Sequence, residues 1–240
     1  MKQNIKTTLF WVSFFAIAMA FVESSVVVYL RALFYPDGFG FPLTSIGNHL
    51  AATEFFREIA TMIMLLSIAI IAGKTKSQRL AYFIYSFAVW DIFYYLFLKI
   101  IINWPLTLID WDLLFLIPFP WVAPVITPVI CSLLMIFLAL VLLRNEKKPR
   151  TAMIRKKEWA LLIVGSLVVI VSFTMDFVSF LHEFYSWSDV FLFKWISQGS
   201  RLSELFIPVT FPWWVFLLGI GIISTGIVFI MVNSERKSEQ

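Results

Sequence analysis

Six long stretches of the chain carry almost no charge: residues 9–30, 49–72, 80–102, 122–143, 159–181 and 208–232. Short polar or basic segments separate them. Each stretch holds roughly 20 residues or more, enough for an α-helix to cross a hydrocarbon core about 30 Å thick. Inside lipid every backbone N–H and C=O must be paired within the chain, and continuous helices achieve this locally. The pattern therefore predicts an all-α fold, a polytopic transmembrane helical bundle of about six spans. Residues 1–240 read as a single integral membrane domain with no sizeable water-soluble part.

Two segments depart from this regular pattern. Lys2 and Lys6, the apolar run 9–20 and Ala18-Met19-Ala20 match the plan of a secretory signal peptide. The apolar run nevertheless continues through Val22 and Ser25 to Leu30, roughly 22 residues, and is expected to persist as an uncleaved first span. The second is 113–121, where a short apolar run is followed by Pro118, Pro120, Pro124 and Pro128. Proline removes a backbone donor and turns the preceding residue away from helix. A Pro-rich interrupted segment before span four is expected, with 113–120 dipping into the membrane or lying at its surface. One long kinked helix is the alternative.

Composition agrees with the spans. The chain is 60% hydrophobic and 14% charged, with 26 Phe and 10 Trp, well beyond the apolar content of soluble domains. The net charge of +4 does not point to nucleic acid, because the basic residues sit between spans. Fourteen of the 19 Lys and Arg fall in the N-terminal segment, the 74–79 loop, the 144–157 loop and the C-terminal tail. The other three loops hold Arg31, Lys194 and Arg201, while Arg57 and Lys99 lie within spans. The positive-inside rule then sets both termini on the cytoplasmic side, N-in and C-in. Aromatic residues crowd the outer loops: 34–42, Trp104 and Trp111, and Trp187, Phe191, Phe193 and Trp195. They read as an interfacial belt or as a lid over the outer face. The lone Cys131 allows neither an intrachain disulfide nor a Cys-based metal site.

The chemistry lies in the acids. Glu23, Glu54, Glu58, Asp91 and Asp176 occupy otherwise apolar spans, where a carboxylate is costly and points to function. At 1.5 Å per residue, Glu54 and Asp176 lie roughly 7 Å below the outer ends of their helices, Glu23 roughly 10 Å, Glu58 roughly 14 Å and Asp91 roughly 16 Å. All five share the outer half of the bilayer, and no comparable acid is seen in the inner half. Glu54 and Glu58 share a helix face, with Arg57 three residues from Glu54. A local ion pair explains part of this layer, but five acids against one arginine leave a formal charge of −4. A low-dielectric interior does not hold that without protons, a cation or other partners. Arg31, Lys99, His49 and His182 near the outer rim are candidates for compensation. Tyr94 and Tyr95 stand one turn from Asp91, within reach of its carboxylate. Asp110 and Asp112, flanking Trp111, read as solvated loop acids.

Other motifs are sparse. His49 and His182 fall at outer span ends, and with the carboxylates they form a ligand set suited to a divalent metal such as Zn or Mn. No His-Glu-x-x-His or Glu-x-x-His pair occurs. No Gly-x-Ser-x-Gly, P-loop or dinucleotide glycine pattern appears either. Gly219 and Gly221 are expected at a close helix contact.

Four strings carry a resemblance: 22–31 with Glu23 and Arg31, 54–61 with Glu54, Arg57 and Glu58, 90–95 with Trp90 and Asp91, and Trp111-Asp112 through Pro118. Over about residues 20–135 the chain resembles a group of small, uncharacterised bacterial polytopic inner-membrane proteins. The resemblance implies a multi-pass protein of the bacterial cytoplasmic membrane. It brings no activity and assigns no role to any residue.

The reading that follows is an acidic pocket in the outer half of the bilayer, formed by Glu23, Glu54, Arg57, Glu58, Asp91 and Asp176. It would bind a proton, a cation or a small amphipathic molecule, in transport or sensing. Two alternatives stand beside it: a metal-dependent membrane enzyme using His49 and His182, and an accessory or assembly subunit of a larger membrane complex. The expected partners are the lipid bilayer and either another membrane protein or a second copy of the chain.

Overall fold

The computed structural model describes residues 4–44, 46–117, 119–145, 154–194, 202 and 205–236, with backbone alone at 48, 235 and 236. Lys2, Pro118, Trp195, Arg201, Lys237 and the basic residues Lys147, Lys148 and Arg150 lie outside the described residues.

Six helices are long and apolar enough to cross a membrane. They are α1 (Ile5–Phe34), α2 (Gly47–Ala72), α3 (Lys76–Ile102), α4 (Ile126–Asn145), α5 (Lys156–His182) and α7 (Trp213–Arg236), with a short α6 (Trp187–Phe191) between the last two. The chain is thus built as a multi-pass helical membrane protein. Local chemistry sets several helix ends. Asn4 caps α1 by accepting the Lys6 N–H at 3.1 Å, and Thr75 caps α3 by accepting the Gln78 N–H at 3.1 Å, each satisfying a first-turn donor that the helix leaves free. Asn103 ends α3 in the left-handed conformation, which asparagine tolerates better than most residues. Ser186 caps α6, and Lys194 and Ser186 both donate to Asp189, holding its carboxyl below the usual range.

α3 is the hub, packed against α1, α2 and α4. α5 packs along α7, and α4 joins this pair to the rest through α7. The α5–α7 contact is close because two glycines meet. A Cβ on Gly219 would come within 2.7 Å of Val169 Cγ2, and one on Gly165 within 2.6 Å of Ile223 Cγ1. Gly219 makes the expected close contact, but its partner is Gly165. Gly221, expected beside it, faces open space.

The interrupted segment is not helical. Trp111–Phe115 (β1) and Trp121–Pro124 (β2) form a two-stranded antiparallel sheet, with a register shift between Leu113 and Phe115. The fold is therefore a helical bundle with an inserted β-hairpin rather than purely α. Both strands are edges, so Pro124, which has no N–H, is tolerated opposite Trp111. Because β2 takes up 121–124, α4 begins at Ile126 rather than at 122. Pro128 then falls in its first turn, where a missing N–H is harmless.

The hairpin is wrapped in aromatic rings. Trp121 lies against Phe173 and Phe115, Trp111 against Phe211, and Phe119 stacks on Phe193. At the opposite end of the bundle a second core joins Val12, Tyr82, Leu142 and Ile227. That end also contains a buried acid absent from the sequence reading. Glu158 is 3% exposed and accepts the Arg155 N–H at 2.8 Å and the Asn233 amide at 2.6 Å. Beside it Ser234 donates to Asn145 at 2.7 Å. These bonds fasten the ends of α4 and α5 to α7.

Candidate functional site

A cavity of about 1220 Å³ lies among α1–α5 and the hairpin. Glu23, Glu54, Arg57, Glu58 and Asp91 all line it, so three helices, α1, α2 and α3, bring together five of the six residues expected there. On α2 the spacing does this directly: Glu54, Glu58 and Thr61 recur at one and two turns and share a face. Asp176 is the exception. It does not line the cavity, although Val169, two turns before it on the same face of α5, does. Its Oδ2 is buried with no hydrogen-bond partner among the described residues.

Arg57 anchors one half of the polar cluster. Its Nη2 and Nε reach the Glu54 carboxylate at 2.6 and 2.8 Å, and its Nη1 pairs with Glu23 on α1. The second Glu23 oxygen accepts the Thr61 hydroxyl at 3.1 Å. The local Glu54–Arg57 pair read from spacing is thus present, but the same guanidinium also bridges α2 to α1.

The other half was missed by the sequence reading. Asp112, expected to be solvated, is 2% exposed at the start of the hairpin. Arg31 donates to it at 3.2 Å and the Tyr95 hydroxyl at 3.1 Å. Tyr95 therefore serves Asp112, not Asp91. The Arg31 guanidinium is held between rings, 4.1 Å from the Phe39 centroid and 3.6 Å from that of Trp104, a stacking arrangement suited to its planar charge. Phe39 and Tyr35 from the loop joining α1 to α2 line the cavity, so this loop covers part of it. The Trp111-Asp112 neighbour Asp110 behaves differently. Burial acts against its ionisation, but bonds from the Thr107 hydroxyl and the Thr107 and Leu106 N–H groups hold its carboxyl below the usual range.

Glu58 and Asp91 remain. Glu58 is buried and accepts the Leu116 N–H from the hairpin at 3.1 Å. Asp91 touches the cavity deep in the bundle and accepts the Ser132 hydroxyl from α4 at 2.8 Å. Among the described residues neither forms an ion pair. The cavity wall thus holds five carboxylates, counting Asp112, against two guanidinium groups. The two guanidinium groups engage Glu23, Glu54 and Asp112, which leaves Glu58 and Asp91 without a cationic partner among the described residues. Such a surface attracts a positive charge or a proton.

The histidines lie away from this cluster. His49 and His182 are exposed and neither lines the cavity. His182 stacks on Trp187 with centroids 4.0 Å apart, its Nδ1 3.1 Å from the Tyr185 carbonyl. Among the described residues no group of three or more His, Cys, Asp or Glu is clustered to hold a metal. Compared with family models, curated proteins and solved structures, the chain matches none.

Proposed function

We propose that this chain is a bacterial inner-membrane protein whose acidic cavity binds a proton, a cation or a small amphipathic molecule, in transport or in sensing. The observation that carries the reading is the pair Glu58 and Asp91, two enclosed acids facing one cavity with no cationic partner among the described residues. Leaving such groups unpaired is costly in a low dielectric, and a bound positive charge or proton removes the cost. The orientation follows from the basic loops: both termini cytoplasmic, the hairpin and aromatic loops periplasmic.

Thermal stability of the purified protein tests the site. Sodium, magnesium, zinc, ethanolamine and a long-chain amino alcohol are titrated singly, and pH is varied from mildly acidic to mildly alkaline. At least one of these should raise the melting temperature, since a ligand at a hundred times its Kd adds about 2.7 kcal/mol to the folded state. Glu58→Gln combined with Asp91→Asn should abolish that response. The substitution Glu58→Gln alone should leave the melting temperature nearly unchanged, because Arg57 pairs with Glu23 and Glu54 rather than with Glu58. A wild-type protein indifferent to every titrant and to pH would refute the reading.

Reporter fusions test orientation. Fusions after residues 76, 150 and 240 should report cytoplasm, and those after 40, 110 and 190 periplasm. A periplasmic signal after 150 would reverse the assignment.

A further inference from the structure

The cavity is much longer than its acidic cluster. Along α5 it is lined from Trp159 to Phe177, roughly 27 Å at 1.5 Å per residue. On α3 the lining continues from Asp91 to Leu80, a further stretch of roughly 16 Å beyond the acid. That arm is apolar, walled by residues such as Ile84, Met135, Leu138, Leu162 and Ile170. It is also open sideways. α2 packs on α3 and α1 while α5 packs on α7, so α2 and α5 form no packed interface. Ile163 and Leu167 line the cavity and are nonetheless 52% and 56% exposed, so a lipid-dissolved molecule can enter between these helices.

The polar end specifies a head group. A carboxylate offers about four acceptor sites, and among the described residues Glu58 and Asp91 each accept one hydrogen bond, from Leu116 and from Ser132. The unused sites call for a group with several N–H donors, which a primary ammonium supplies.

We propose that the cavity binds an amphiphile with a primary ammonium and a hydrocarbon tail, entering laterally between α2 and α5. The inference rests on the cation-binding reading above and extends it to the ligand's class. The ammonium takes the acidic end of the cavity, which Glu58 and Asp91 line, and the tail lies along α4 and α5 toward Leu138 and Leu162. A free long-chain amino alcohol and an ethanolamine-headed phospholipid share this chemistry.

The test uses a long-chain amino alcohol carrying a diazirine at its tail end, with the full chain in nanodiscs of choline-headed lipid. Photolabelling should fall within 134–138 of α4 and 162–170 of α5. Excess unlabelled amino alcohol should suppress it, while the fatty acid of equal chain length and ethanolamine alone should not. Suppression when ethanolamine-headed phospholipid is added to the nanodisc would name that lipid as a source; suppression by the free amino alcohol alone would name the single-chain compound. The double substitution Glu58→Gln and Asp91→Asn should weaken protection about tenfold or more, equivalent to about 1.4 kcal/mol. Ile163→Trp, on the open apolar wall, should reduce labelling while leaving the thermal response to a small cation or to pH intact. Equal suppression by ethanolamine would overturn the tail assignment while the acidic site stands. Labelling unaffected by the double substitution, or shared by the fatty acid, would overturn the proposal as uptake from the bilayer. Loss of every thermal response in the wild type would instead remove the cation-binding reading itself.

Discussion

Arg57→Met should be among the most damaging single substitutions in the protein, lowering stability by about 3–5 kcal/mol, the usual loss when one partner of a buried ion pair is removed. The guanidinium holds Glu54 through two contacts and Glu23 through a third, tying α2 to α1. α1 and α2 otherwise touch at few points, so little other packing compensates. Methionine keeps the stem's apolar contacts and removes only the charge and donors. It leaves two carboxylates facing one another, with the Thr61 hydroxyl as their remaining donor among the described residues. The measurement is the melting temperature in a mild non-ionic detergent, compared with Glu58→Gln. A large drop for Arg57→Met beside a negligible one for Glu58→Gln is expected. Adding Glu23→Gln and Glu54→Gln to Arg57→Met should recover much of the loss, because the stranded charge is then gone. Equal drops for Arg57→Met and Glu58→Gln would mean that the arginine serves Glu58 in solution.

Gly219→Val should be comparably severe by a different route. Even the first carbon of a side chain at 219 would approach Val169 Cγ2 at 2.7 Å and the Gly165 carbonyl at 3.0 Å. The obstruction includes backbone, so a rotamer change on α5 does not relieve it. Overpacking of this kind typically costs about 1–3 kcal/mol and sometimes more. Here it also pushes α5 away from α7, the most extensively packed helix pair among the described residues, and with it the Asn233–Glu158 bond. Gly165→Val should behave alike, since each glycine meets the other's carbonyl at 3.0 Å. Gly221→Val is the control: nothing lies within 4 Å of its added Cβ. Yield and melting temperature of the three variants decide the matter. A Gly221→Val as damaging as Gly219→Val would contradict the α5–α7 packing described here.

Asp112 illustrates how little a side chain's type says of its fate. It lies in a loop-like run between Asp110 and Leu113, with tryptophan on one side and proline close by. Nothing in that string distinguishes it from the solvated Asp110 two residues earlier. Burial came from Arg31 and Tyr95, 81 and 17 residues away. The one signal available was Arg31 itself, a cation near the end of α1 beside a loop poor in charge. Asp176 failed in the opposite sense. Its depth matched that of the other acids, but depth fixes height along the membrane normal and says nothing about how far a cavity extends.

What the sequence determined by itself was the set of membrane-crossing helices and the layer of acids within them. Both are local properties: the free energy of moving a segment into hydrocarbon is a sum over its own residues, and depth is a count along a helix. The tertiary structure decided the rest. Arg57 bridges to Glu23 because α1 and α2 meet at that level, Asp112 and Arg31 join the site because the 111–124 segment pairs as strands, and Asp176 stays outside the cavity that Phe173 and Phe177 line. Pairings, strand register and helix rotation depend on contacts between segments far apart in the chain, and no single segment contains the partner that sets them.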